Sequence, residues 1–279
     1  MRLLRDREIG VMFWAGRDPV ETLRELKALG ARCGQIGIPG DFPLAGAAAQ
    51  WKAALQAEDF PVVTAFCAYT GESYADIPTV QRTVGFIPRQ TRAEREQRTY
   101  AVSDFAREAG IPSIATHIGF VPEDSSDADY LVVREMVRHV CDHAAKNKQT
   151  FALETGQEGA ETLREFFIDV NRENLGINFD PANMILYGTG DPIDALGTLA
   201  QHVISVHCKD GDWPPKGVAG ALGEEKPLGQ GSVGMDRFIQ KLKSIHFKGP
   251  LNIEREVPDQ AQRLRDIAMG VKLLEKLLA

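Results

Sequence analysis

The 279 residues include only four cysteines, Cys33, Cys67, Cys141 and Cys208, and no two of them form a CxxC pair. That scarcity argues against a disulfide framework or a thiolate zinc site, leaving reduced, buried thiols as the expectation. No stretch approaches the roughly 18 consecutive apolar residues of a membrane helix. The amino end has three arginines in its first seven residues but no apolar signal segment with a cleavage site, so a cytoplasmic location is expected. Long basic tracts are missing too. Lysine and arginine number 32 against 39 aspartates and glutamates, a net charge of −7, which argues against nucleic acid as the main partner. The first apolar run leads into Trp14-Ala15-Gly16-Arg17-Asp18 rather than GxGxxG, which disfavours a doubly wound nucleotide-binding sheet. His139 and His143 are four apart, but Val140, Cys141 and Asp142 intervene, so HExxH is absent and both read as ordinary helix residues. No low-complexity linker divides the chain.

What is present is an alternation. With 43% apolar and 25% charged residues the chain suits a globular fold. Short apolar or β-branched runs alternate with longer segments of helical period, the pattern of βα units on a parallel sheet. Strands are predicted over 9–14, 33–38, 62–69, 113–120, 150–155, 175–180, 203–210 and 250–256. Asp18 and Pro19 open a first helix as N-cap and first-turn residue, and Gly30 closes it. Further helices are predicted over 91–109, 128–147, 161–171 and 257–278. Eight strands, each followed by a helical stretch, close a (β/α)8 TIM barrel, and residues 1–279 are read as one such domain. Connections 71–90 and 211–234 are too long for plain turns. Both leave the carboxyl ends of strands, where barrel enzymes place their sites, and are read as lid and substrate wall, with surface insertions as the alternative.

A barrel aims the last inward residues of its strands at one shared point. Read with period two, the later strands put Ala152 with Glu154, Asn178 with Asp180, and Ser205 with His207 and Lys209 on one face. The eighth strand adds Asn252, Glu254 and Glu256. Each of these four strands therefore ends its polar face with an acid or a histidine: Glu154, Asp180, His207 and Glu254. Taken singly, any of them reads equally well as a salt-bridged strand end. Three crowded carboxylates, however, repel and resist ionising unless something positive joins them, and a divalent cation would do so. Three carboxylates and one imidazole suit Mn²⁺, Mg²⁺ or Co²⁺ better than a closed tetrahedral zinc site, with Zn²⁺ as an alternative.

At these positions the sequence resembles a known family. Leu153-Glu154-Thr155-Gly156, Asn178-Phe179-Asp180-Pro181-Ala182-Asn183, Val206-His207-Cys208-Lys209-Asp210 and Ile253-Glu254-Arg255-Glu256 are similar to the metal motifs of the xylose isomerase-like barrels, specifically the sugar phosphate isomerase/epimerase group. The resemblance implies one Mn²⁺-like ion on Glu154, Asp180, His207 and Glu254. It also implies that Glu154 and Glu254 move protons on the two faces of a sugar, through a metal-stabilised enediolate. The implied activity is that of a sugar or sugar phosphate isomerase or epimerase, with an inosose dehydratase-like lyase on a keto-polyol as the alternative. An apurinic endonuclease-like hydrolase and a non-catalytic barrel rank lower, the former because its three-metal site needs more histidines. The implied partner is a small sugar, without nucleic acid or membrane, and a homo-oligomer is compatible. Ketose 3-epimerases of the group usually carry a substrate-contacting histidine where this chain has Asn183. Asparagine can exchange hydrogen bonds but cannot shuttle a proton near pH 7.

Weaker signals surround this set. His117, near the end of the fourth strand, reads as a substrate hydrogen-bonding residue or a satisfied core histidine. Glu158 resembles a substrate-binding glutamate of the epimerases, or is a solvated helix-entry acid. Lys209 either grips an anionic substrate group or pairs with a metal-site acid. Trp14 stacks on a sugar face or packs in the core. Gly229-Gln230-Gly231-Ser232 could cradle a phosphate with its N–H groups, but a tight turn is favoured.

Overall fold

In the computed structural model, which describes residues 3–279, eight parallel strands close on themselves. Met1 and Arg2, one of the three early arginines, lie outside the described residues. In chain order the barrel strands are β1 (Ile9–Trp14), β2 (Cys33–Ile38), β3 (Val62–Cys67), β4 (Ser113–Thr116), β5 (Thr150–Glu154), β6 (Leu175–Phe179), β7 (Val203–Cys208) and β8 (Leu251–Ile253). Each pairs with its sequence neighbours, and β8 closes the ring on β1 with Gly10 opposite Asn252. The (β/α)8 plan is the one expected.

The predicted strands from the third onward run too long. Residues 68–69, 117–120, 155, 180, 209–210 and 254–256 lie beyond the ladder at the carboxyl end, and Pro250 lies before it. The apolar alternation continues past the end of the ladder, where only single bonds such as Thr155 N–H to the Asn178 carbonyl and Glu254 N–H to the Cys208 carbonyl remain. His117, Asp180, Lys209 and Glu254 consequently sit just past strand ends.

Local signals explain the helices. Asp18 accepts a hydrogen bond from the Glu21 N–H and caps Pro19–Ala28, and Gly30 follows its end at φ 101°. Arg92–Ala109, preceded by a 3₁₀ turn, stops at left-handed Gly110. Ala128–Lys146 and Ala160–Val170 end within a residue of expectation. The last helix, Gln260–Leu278, begins three residues later than predicted because Asp259, not the chain before it, supplies the cap. Neither long connection is open loop throughout. The first carries helix Ile77–Thr83, capped by Asp76. The second folds into an antiparallel ribbon, Asp210–Asp212 against Glu224–Lys226. The two segments touch where the Ile77 N–H donates to the Gly220 carbonyl.

Burial divides the barrel in two. Outward side chains such as Ile36, Phe151 and Phe179 pack beneath the helices, and Phe179 stacks on Phe238 with ring centroids 6.1 Å apart. Each such side chain contributes roughly 1.5–3 kcal/mol on burial. Inside the barrel the contents differ. Met12, Phe66, Ala115 and Ala152 form a small apolar cluster beside a polar layer of Gln35, Asn178, Ser205 and His207. Among the described residues, no helix is long and apolar enough to cross a membrane.

The glycine-rich turn is filled from within. The carboxylate of Asp210 accepts the N–H groups of Gly211, Gly229, Gly231 and Val233. A Cβ on Gly231 would lie 2.4 Å from Asp210 Oδ1, so only glycine lets the turn wrap that closely. The turn reading holds, and those amides are not free to bind a phosphate.

Candidate metal centre

Four strand ends deliver four ligand atoms to one place. Oxygen atoms of Glu154, Asp180 and Glu254 and a ring nitrogen of His207 all lie within 4.8 Å of one another, and all four residues are buried. Thr155 sets part of this spacing. Its hydroxyl donates to the Asp180 carbonyl at 2.9 Å and accepts the Asp180 N–H at 2.8 Å, clipping the end of β5 to that of β6. Asp180 also caps helix Pro181–Tyr187, its Oδ1 accepting the Asn183 N–H at 2.9 Å. That helix brings Asn183 back over β5, where its Nδ2 donates to Glu154 Oε1 at 3.1 Å. Gly156, at φ 148°, leaves room, since a Cβ there would approach the Asn183 Cβ to 2.7 Å. On the other side, the Glu254 N–H donates to the Cys208 carbonyl, extending the β7–β8 pairing by one residue.

Protein groups alone do not balance this cluster. His207 Nδ1 lies 3.1 Å from Glu154 Oε1, 3.1 Å from Glu254 Oε2 and 3.5 Å from Asp180 Oδ2. One ring nitrogen carries one proton at most, so it cannot satisfy three carboxylates. Asp180 Oδ2 is buried without a hydrogen-bond partner. A divalent cation fits this set, because it would take the orphaned oxygen and the imidazole lone pair together. The layer beneath supports that ligand state. His207 Nε2 lies between Gln35 Oε1 at 3.0 Å and Asn178 Nδ2 at 3.2 Å; in the tautomer that donates to the nearer Gln35 oxygen, Nδ1 is free. Gln35 is itself held, its Nε2 donating to Asn178 Oδ1 at 3.0 Å.

The charges of the cluster depend on one another. Burial pushes the His207 imidazolium down, but Glu254 and Glu154 outweigh it and hold its pKa well above the ordinary value. Burial also opposes charge on Asp180 and Glu254. His207 and Lys209 outweigh it at both, keeping each below the usual carboxylate range. At Glu154 burial prevails and the pKa is raised, despite His117 and His207.

A cavity of about 270 Å³ opens over the cluster. Glu154 and Glu254 line it, whereas Asp180 and His207 are buried behind them. Trp14, His117, Asn183 and Lys209 line it as well. His117 Nε2 faces Glu154 Oε2 at 3.6 Å, and its ring meets the Phe66 ring edge-on. Lys209 Nζ contacts Glu254 Oε2 at 3.1 Å and Glu256 Oε2 at 2.7 Å, the ion-paired arrangement among its two readings.

Glu158 is placed elsewhere. It lines a separate cavity with Phe120 and Thr162, and its Oε1 accepts the Val121 N–H at 2.9 Å. It is not a solvated acid either, for it is 7% exposed and burial pushes its pKa from 4.5 up to about 7. The folded chain therefore holds this proton more tightly than the unfolded one. The associated stability is complete below about pH 4.5 and lost as pH rises through about 7. Glu158→Gln is expected to flatten that loss and to stabilise the protein at pH 8 by about 3 kcal/mol. Urea denaturation at pH 5 and pH 8 measures it; an equally steep decline in the variant would assign the effect to another group.

Other site residues carried little sequence signal. Glu72, in the first long connection, lines the cavity while its carboxylate accepts the Tyr69 and Gly85 N–H groups. Tyr187 and Leu222 also line it, and Glu225 reaches it from the ribbon. Gln35 had a readable signal, as the one amide in the otherwise apolar β2.

The profile of the Xylose isomerase-like TIM barrel family matches residues 23–277. A solved structure, the Xylose isomerase domain protein from Planctomyces limnophilus, is 44% identical, with a TM-score of 0.93 over 98% of this chain and 97% of that one. The 3-keto-D-glucoside 4-epimerase from E. coli shares the fold at 17% identity, with a TM-score of 0.70 over 96% of this chain and 99% of that one. Uncharacterized protein MJ1311 of Methanocaldococcus jannaschii is 24% identical over 177 residues, 59% of this chain. That match spans little more than half of the relative, 56% of its length. The fold, the motif-bearing strand ends and these matches agree: the chain belongs to the xylose isomerase-like TIM-barrel family.

Proposed function

We propose that this protein is a divalent metal-dependent isomerase or epimerase of a small sugar, with Glu154 and Glu254 as its proton-moving groups. One observation carries the reading: of the four clustered ligand residues, only these two glutamates also face the cavity. Asp180 and His207 would hold the ion from behind, with Mn²⁺ favoured by the oxygen-rich set. When bound, the cation supplies Lewis-acid stabilisation of negative charge developing on a carbonyl oxygen. The chain's own residues do the rest. Glu154 ends β5 and Glu254 follows β8, three strands away around the ring, so a sugar between them presents a different face to each. One carboxylate removes the proton next to the carbonyl, and the other returns a proton. His117 and Asn183, both at Glu154, orient hydroxyls, while Trp14 and Phe66 cover an apolar sugar face.

The test is solvent exchange. Metal-supplemented protein is incubated with a panel of ketoses, aldoses and inososes in deuterated water. Deuterium incorporated into a product isomer without loss of water is the expected result. Loss of water from a keto-polyol would assign the lyase reaction instead. With metal shown to be bound, exchange into no substrate would overturn the proposal.

A further inference from the structure

We propose that the cavity selects uncharged sugars and rejects phosphorylated or otherwise anionic ones, and that Glu225 and Glu256 impose this choice. The inference rests on the sugar reading above and specifies its substrate class. Two features of the chain could grip a phosphate, and its own carboxylates occupy both. Lys209 is the first. It is 3% exposed, and its ammonium already contacts Glu256 at 2.7 Å and Glu254 at 3.1 Å. The glycine-rich turn is the second, and its amides converge on Asp210.

Arg263 is near Glu254 and Glu256, but it lines a neighbouring cavity and donates to the Met12 carbonyl. Among the described residues, no arginine lines the cavity. Arg255 lies alongside, but its guanidinium is committed to Glu225 at 2.9 Å and to Asp266 at 2.8 Å. His117 faces Glu154. Glu72, Glu154, Glu225, Glu254 and Glu256 all line the cavity and Asp180 lies behind them, so carboxyl groups exceed what Lys209, Arg255 and one divalent ion together offset. A phosphate entering here would meet like charges and would have to separate Lys209 from a glutamate. An uncharged sugar meets the opposite situation. Its hydroxyls donate to carboxylate oxygens, and its C–H face lies against Trp14 or Tyr187. A volume of about 270 Å³ also falls below the usual range of drug-sized pockets, which suits one monosaccharide.

Glu256 is the place to test this. Its side chain is 51% exposed, and it neither belongs to the ligand cluster nor supports the core. Calorimetry on the Mn²⁺-loaded protein would compare D-fructose with D-fructose 6-phosphate, and D-ribulose with D-ribulose 5-phosphate, with inorganic phosphate as a third probe. At least one free ketose should bind ~10-fold or more tightly than its phosphate ester. Glu256→Gln, and Glu225→Gln/Glu256→Gln more so, should raise the affinity for inorganic phosphate by at least ~10-fold, a modest figure for a like charge removed within a few ångström. Native protein that binds the esters as tightly as the free ketoses would overturn the proposal. So would a phosphate affinity unchanged in both variants. If no ketose binds while phosphate still gains affinity in the variants, the charge filter stands and the sugar reading falls.

Discussion

Glu154→Gln and Glu254→Gln are each expected to lower kcat by at least ~10²-fold, the lower range for a positioned acid or base. Glutamine keeps the size of the side chain and one carbonyl acceptor, so the Asn183 contact to Glu154 can survive. What is lost is the ability to take or give a proton. Metal content has to be measured beside turnover, because both glutamates also belong to the ligand cluster. The two variants should differ in washout: the one that retains its abstracting base still exchanges substrate hydrogen with solvent while failing to form product. Near-normal turnover in both, with metal bound, would make the glutamates ligands only. The base would then be another titratable group on the cavity wall, with His117, 3.6 Å from Glu154, the first to test and Lys209 the second.

Asp180→Ala and His207→Ala are expected to lose most of about one divalent ion per chain. Neither residue lines the cavity, so their loss reports on ion binding rather than on substrate contact. Removing His207 takes away the nitrogen around which three carboxylates gather, and removing Asp180 takes away the oxygen that has no other partner. Thermal denaturation offers a second readout. An ion that binds only the folded chain raises Tm with its concentration, and each variant should lose most of that rise. Elemental analysis showing full occupancy in both variants would sink the assigned ligand set.

Much of this site was legible because barrel topology converts sequence position into place. Period-two alternation put Glu154, Asp180, His207 and Glu254 on inward faces of successive strands, and a closed parallel ring brings such ends together. Three of the four nevertheless lie at or just past the strand ends, and alternation could not show where the ladder stops. Glu158 shows the same limit more sharply. Four residues past Glu154, it has left the strand, and the turn at Gly156 carries it toward Val121 and another cavity. Motif spacing no longer maps to direction once the backbone enters a turn.

The sequence by itself determined the eight-strand barrel, the four clustered acid and histidine positions and the caps at Asp18 and Gly110. These follow from periodicity and from single-residue backbone preferences, which are local. Only the tertiary structure decided how charges are committed. Lys209 could have faced a substrate anion, but Glu256 stands 47 positions away in the chain and pairs with it across the mouth. The glycine-rich turn could have held a phosphate, but Asp210, some 20 residues earlier, fills it. Gln35 supports His207 from a strand 172 positions away. Whether a charge is free or spent depends on partners brought near by the closed ring, and neither periodicity nor motif spacing encodes that distance.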